Sequence, residues 1–255
     1  DSQGGQRAAV PGILGVINMS EKKSVGIIGG MGPMATADLF RKITALTKAG
    51  KDSEHIRVYI DSNPEIPDRT AAILQGGPDP VPAMVDALVN LEACGADCIV
   101  MPCNTAHYFL PRLREETGLP FISMIDETAR ACREERPGAA AGILATSGTL
   151  SAGLYQKALS SAGVPYLEPS AEEQKALMSV IYDGVKAGAD PSAYRDAFQG
   201  VLNAMTARGA DYFLLACTEL PLAFQALGRP ADALDPTELL ARAVIRFCGY
   251  EVREA

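Results

Sequence analysis

The chain has 255 residues, with 23 Lys plus Arg against 31 Asp plus Glu for a net charge of −8, a balance that argues against a nucleic-acid partner. Its 47% hydrophobic and 21% charged residues fit a globular protein, and a chain of this length buries about 70% of its unfolded surface without disulfide or metal staples. No apolar run approaches the roughly 20 residues that span a bilayer, so no membrane partner is expected.

Residues 1–23 mix Gly, Pro and polar residues without a period and read as an N-terminal tail. Residues 24–28 form a short apolar run suited to a buried strand, followed at once by Gly29, Gly30 and Gly32. Pro33 fits the first turn of a helix, where its missing N–H costs nothing. Leu39, Ile43 and Leu46 give that helix an apolar face down to Gly50. Residues 56–60 predict a second strand, running into the polar loop DSNPEIPDRT. Val81, Met84, Val85, Leu88 and Leu91 mark a helix over 81–94. Residues 97–101 predict a third strand that ends in PCNTAH, with a helix continuing to Glu116. This alternation predicts an α/β fold with a parallel, doubly wound sheet.

The second half starts over. GILA at 142–145 matches GIIG at 26–29, and GADYFLLAC at 209–217 matches GADCIVMPC at 95–103, with offsets of 116 and 114 residues. Ala87-Leu88 stands against Val201-Leu202 in the preceding helices. A duplicated α/β unit with a two-residue indel accounts for these matches, with helical stretches at 171–187 and 191–208. A helix over 237–247 has no counterpart before the duplicated unit and reads as returning to the first domain. The expected organisation is a first domain of 24–123 plus 228–249 and a second of 124–227. These are two pseudo-symmetric domains, each with a mostly parallel doubly wound sheet, facing across a cleft.

The six cysteines (Cys94, Cys98, Cys103, Cys132, Cys217 and Cys248) have neither zinc-site spacing nor a C-x-x-C pair. With no recognisable signal peptide, a reducing cytoplasm is the expected setting. The repeat makes Cys103 and Cys217 equivalent: each follows an apolar strand, precedes a helix and has a Thr within two residues. The C-terminal ends of parallel strands face the ligand crevice, and a helix N-terminus lowers a thiol pKa. The other four cysteines read as small buried hydrophobes. Two thiols on opposite sides of one cleft suit inversion of a Cα–H centre, which needs a base on one face and an acid on the other. Donors around an α-carboxylate, backbone N–H groups and the hydroxyls of Thr105 and Thr218, would stabilise the carbanion-like transition state.

On these residues the sequence resembles the cofactor-independent aspartate/glutamate racemase family, and most of all its aspartate racemase branch. The matching stretches are GIIGGMGPMAT (26–36), SNPEIPDRT (62–70), GADCIVMPCNTAH (95–107), ILATSGT (143–149), IYDGVKAG (181–188) and GADYFLLACTEL (209–220). The resemblance implies two pseudo-symmetric α/β domains, both cysteines in the cleft, a small amino-acid substrate, no pyridoxal phosphate or other cofactor, and commonly a homodimer. It also implies Cys103 and Cys217 as the acid/base pair. Asn104, Thr105 and Thr218 would hold the α-carboxylate or amino group, and Thr146 and Thr149 would line the second-domain side.

Two positions depart from the glutamate-specific branch. Gly29-Gly30-Met31 stands where that branch has Asp-Ser, and Glu219 stands where it has His. Met31 either packs or shapes the cleft floor. Glu219 either binds the substrate ammonium, orients a thiol, or is a first-turn acid favoured by the helix dipole. Arg69, in a Pro- and Asp-rich loop, and Lys186 are the candidate readers of a side-chain carboxylate; a planar guanidinium matches one bidentately. His107, four residues past Cys103, either supports the site or makes a structural hydrogen bond. The two histidines lack acids at ligand spacing, so no metal site is expected. GGMGP lacks the spacing of a dinucleotide fingerprint and the G-K-[ST] of a P-loop. The expected function is aspartate racemisation; a dicarboxylic-acid isomerase or decarboxylase, a glutamate or broad-specificity racemase, and a non-catalytic binding protein are the alternatives.

Overall fold

The computed structural model describes residues 22–253, so all but the last two residues of the tail expected over 1–23 lie outside the described residues. In the first half, β1 (Val25–Gly29) lies between β2 (Val58–Ser62) and β3 (Cys98–Val100), parallel to both. β1 is buried along its whole length, as its unbroken apolar run requires. The helices are α1 (Pro33–Leu46), α2 (Arg69–Leu74), α3 (Val81–Cys94), α4 (Leu110–Glu115) and α5 (Met124–Glu135). α1 opens on Pro33, and α3 stops at Gly95, whose φ of 88° only glycine adopts readily. α2 opens on the last two residues of the loop DSNPEIPDRT; the Asp68 side chain caps it by accepting from Ala71 N–H. The helix expected after Cys103 begins as a 3-10 turn over Thr105–Phe109.

The second half repeats the arrangement with β4 (Ala141–Ala145), α6 (Ser147–Ser151), α7 (Leu154–Ala162), β5 (Tyr166–Leu167) and α8 (Ala171–Ser179). α8 runs on into a π-helical segment, Val180–Lys186. There follow α9 (Arg195–Ala207), β6 (Tyr212–Ala216), α10 (Leu220–Ala226), β7 (Ala233–Leu234) and α11 (Pro236–Phe247). The strand order is β5-β4-β6-β7, all parallel, against β2-β1-β3 in the first sheet. A single parallel bridge, Ile99 to Phe121, stands in the first sheet where β7 stands in the second. Among the described residues no helix is long and apolar enough to cross a membrane.

Two expectations change. α11 does have a counterpart: it follows β7 as α5 follows the Phe121 bridge, and Ala129-Arg130-Ala131 matches Ala241-Arg242-Ala243 at an offset of 112 residues. The chain also stays on the second sheet past residue 228, because β7 pairs with β6; it leaves only at Asp235.

The two counterpart helices are exchanged. α5 packs Ile125, Ala129 and Cys132 against β4 and α7 of the second half, around Ile143, Tyr155 and Leu159. α11 packs Leu240, Ala241, Val244 and Ile245 against Val25 and Ile27 of β1 and Leu39 and Ile43 of α1. Burying Leu240, Val244 and Ile245 contributes roughly 1.5–3 kcal/mol each, whereas closing a loop of about a hundred residues costs roughly 4 kcal/mol. The apolar face therefore returns the helix to a sheet the chain left long before. At the return point Asp235 caps α11 through Thr237 N–H and accepts Lys42 Nζ of α1 at 2.5 Å.

On the opposite side the halves touch where α6 meets α2. A Cβ on Gly148 would lie 2.8 Å from Thr70 Oγ1 and 3.0 Å from Thr70 Cα, so only glycine permits this approach. Gly148→Ala should therefore push α6 off α2 and lower unfolding stability by about 1–3 kcal/mol, the usual cost of overpacking. Urea unfolding of the two proteins checks this, and an unchanged midpoint would show that the contact is slack.

Candidate functional site

The C-terminal ends of the central strands of both sheets converge. β1 runs into the turn at Gly30 and Met31, where a Cβ on Gly30 would lie 2.3 Å from the Asn63 backbone at a φ of 89°. β4 runs into Thr146, the side-chain cap of α6. Cys103 lies three residues beyond β3, and Cys217 directly follows β6. Both thiols line one cavity of about 20 Å³, the room of a single water. Larger clefts elsewhere contain no cysteine.

Cys217 Sγ donates to Glu219 Oε2 at 3.1 Å, and Thr218 Oγ1 donates to the same oxygen at 3.4 Å. Burial pushes the Cys217 thiol well above its ordinary value, and the Glu219 charge pushes the same way. This sulfur is therefore held protonated. Glu219 Oε1 lies 3.7 Å from Lys186 Nζ, which also stands 4.7 Å over the Tyr182 ring. Burial works against the Lys186 ammonium, but the surrounding groups, the Glu219 carboxylate foremost, outweigh it and raise its pKa.

Arg69 is buried and bound only to backbone oxygens. Nη1 donates to the Ile66 and Pro67 carbonyls at 3.0 Å, and Nη2 donates to the Met31 carbonyl at 3.3 Å. Nε has no partner, and no acid lies within ion-pair distance among the described residues. Such a cation favours an anion in the cavity it lines. Three hydroxyls join the halves nearby: Thr105 Oγ1 meets Thr146 at 3.0 Å and Thr149 at 2.8 Å, and those two meet at 3.1 Å. Asn104 accepts from Tyr155 Oη at 2.6 Å, and its own Nδ2 is buried without a partner.

Residues 28–244 match the Asp/Glu/Hydantoin racemase family. The structure is similar to that of an aspartate racemase from Picrophilus torridus, with a TM-score of 0.80 and 34% identity over 91% of this chain and 96% of that one. The chain belongs to the Asp/Glu/hydantoin racemase family. It is accordingly an amino-acid racemase, with the two pseudo-symmetric α/β units of that architecture. A broad-specificity amino-acid racemase of Bacillus subtilis, RacX, is 25% identical over 89% of this chain and 99% of its own length. A glutamate racemase of Deinococcus radiodurans is 30% identical over 67% of this chain and 53% of its own. These relatives carry three different substrate descriptions.

Within this racemase the cavity is lined by Met31, Arg69, Cys103, Asn104, Thr105, Thr146, Lys186, Cys217, Thr218 and Glu219. Thr149 is fully buried behind Thr146 and does not reach it. Asp68, Thr70 and Tyr182 also line it, although the sequence reading passed over them. Their signals were present: Asp68 and Thr70 flank Arg69 in PDRT, and Tyr182 stands four residues before Lys186 in IYDGVK.

His107 stays outside the cavity. Nε2 accepts from Met124 N–H at 3.1 Å, which leaves the proton on Nδ1 to donate to the Cys103 carbonyl at 2.9 Å. The ring thereby ties the Cys103 loop to the start of α5. Burial lowers its pKa from 6.5 to about 4, outweighing the bond to Cys103. The unfolded chain therefore binds a proton that the folded one refuses. Stability is complete above about pH 6.5 and falls toward pH 4 by roughly 3 kcal/mol from this group. His107→Asn, which keeps a donor near the Nδ1 position, should remove that part of the slope; urea unfolding at about pH 7 and about pH 5 measures it. An equal slope in both proteins would assign the acid sensitivity elsewhere.

Proposed function

We propose that the protein interconverts L- and D-aspartate by moving protons between two thiols. The observation that carries this reading is that the repeat-related Cys103 and Cys217 line one buried cavity, each from its own half. A thiolate on one face of the substrate takes the α-proton, breaking Cα–H, and the electron pair passes into the α-carboxylate. The thiol on the other face then protonates Cα. The reaction ends with thiol and thiolate exchanged, so the reverse turn begins where the forward turn stopped. Cys217, held protonated beside Glu219, supplies the proton in the direction that starts from this arrangement. The unpartnered Asn104 Nδ2 and the Thr105 and Thr218 hydroxyls face the α-carboxylate as its charge grows.

Aspartate is favoured by the acid-free Arg69 guanidinium, which a second carboxylate would satisfy, and by Met31 and Glu219, which depart from the glutamate pattern. The 34% identical aspartate racemase supports the same choice. A broader amino-acid range is the second reading: Lys186 is already paired with Glu219, so Arg69 is the one lining cation without an acid partner among the described residues. The reading includes a cytoplasmic setting, which six free cysteines suit, and a homodimer, which the family resemblance suggests.

Cys103→Ala and Cys217→Ala should each lower racemisation by on the order of 10³, because each face supplies half of the reaction. Each variant should keep slow α-hydrogen exchange of the one enantiomer that faces its surviving thiol. Exchange in heavy water with L- and D-aspartate reads both effects, and substantial racemisation in both variants would rule out the two-thiol assignment.

Arg69→Leu should lower kcat/KM for aspartate by about 10² or more and affect alanine far less. Chiral chromatography of initial rates for aspartate, glutamate and alanine decides it. A higher kcat/KM for glutamate or alanine, or an equal loss on every substrate, would overturn the side-chain pocket.

A further inference from the structure

Tyr155 lies on α7, fully buried in the core of the second half, and does not line the cavity. Its hydroxyl nevertheless crosses to the first half and donates to Asn104 Oδ1 at 2.6 Å, a bond with both partners buried. The Thr128 hydroxyl also lies beside it but spends its own hydrogen on the Met124 carbonyl, and Asn104 Oδ1 is the acceptor the phenol meets at 2.6 Å. A buried phenol left undonated would be destabilising, so the amide turns its oxygen to Tyr155. Its Nδ2 is then the atom left for the cavity, buried and unpartnered one residue after Cys103.

We propose that Tyr155 is a positioning residue for racemisation, fixing through Asn104 an amide donor toward the reacting carboxylate. The proposal rests on the reading of this cavity as the racemisation site. The two orientations of an asparagine amide differ little in shape but oppose each other in charge. With Nδ2 inward the group donates to an oxygen that gains negative charge when Cα–H breaks; with Oδ1 inward it repels that oxygen. Tyr155 selects the first orientation from outside the cavity, and the phenol suits the task because burial raises its pKa and keeps it a donor.

Tyr155→Phe retains the ring in its packing and removes only the hydroxyl. Kinetics on L- and D-aspartate for Tyr155→Phe, Asn104→Ala and the double variant test the proposal. Tyr155→Phe should lose on the order of tenfold in kcat/KM, mostly in kcat, because the donor acts on charge that develops in the transition state. In the Asn104→Ala background the same change should cost less than about twofold, since Tyr155 acts through that amide. Three results would overturn the proposal: wild-type kinetics in Tyr155→Phe, an Asn104→Ala variant of full activity, or an equal loss from Tyr155→Phe in both backgrounds, as a merely structural tie would give. Cys103→Ala in the same assay separates the two levels. If it is inactive while Tyr155→Phe is not impaired, only the proposal fails; if it racemises aspartate normally, the reading of the cavity fails and the proposal with it.

Discussion

The facing of two strand ends across a space no larger than one water depends on the exchange of α5 and α11. Each helix closes one repeat in sequence and packs on the sheet of the other in space. At the cavity itself the halves are joined by small contacts: the three threonine hydroxyls, the Tyr155–Asn104 bond and the Gly148–Thr70 approach. A neutral hydrogen bond contributes about 0.5–1.5 kcal/mol net, whereas each large apolar side chain buried on α11 contributes roughly 1.5–3. The exchanged helices, which also pack on one another, are therefore what sets the relation of the two sheets.

The duplication is not carried through to the chemistry. Two residues after each cysteine the chain reaches across to the turn of the opposite half. Thr105 does so toward Thr146 and Thr149, and Glu219 toward Gly32, where a Cβ would lie 3.6 Å from its Oε1. One side thus meets neutral hydroxyls and the other a carboxylate. The carboxylate accepts a hydrogen bond from the Cys217 thiol and pairs with Lys186, so this half holds its proton on sulfur and offsets its own added charge. A two-faced reaction needs a proton donor on one face, and within the proposed mechanism Glu219 keeps the proton on Cys217.

The central strands were legible because they are buried on both faces and therefore read as unbroken apolar runs, which also made the repeat visible. Cys103 and Cys217 were singled out by that repeat together with their places at strand ends and the Thr within two residues of each. The α5–α11 correspondence was hidden because the two helices share only a three-residue match while sitting on different sheets. α2 was hidden for another reason: six residues opening on a cap inside a Pro- and Asp-rich stretch carry no period. Tyr155 left no functional mark, since an aromatic residue on a helix that packs into a core reads as packing. Its hydroxyl matters only through a residue 51 positions away, and no local pattern encodes such a partner.

The size of the cavity sets the remaining constraint. The cavity between the cysteines has room for about one water, less than an amino acid needs, so within the proposed function the lining groups must part to admit substrate. Opening must separate the contacts that join the halves at the cavity and leave the exchanged helices in place. Three cross-half hydrogen bonds at about 0.5–1.5 kcal/mol each come to a few kcal/mol, and water entering a polar cavity replaces part of that. Unpacking α11 would expose Leu240, Val244 and Ile245 with no such replacement. A motion about the α5–α11 side that parted the halves at Thr105, Thr146 and Tyr155 would therefore cost less than one that unpacked α11. The same polar groups that face the substrate are then the ones that release the cleft, and substrate oxygens can take up the donors that opening sets free.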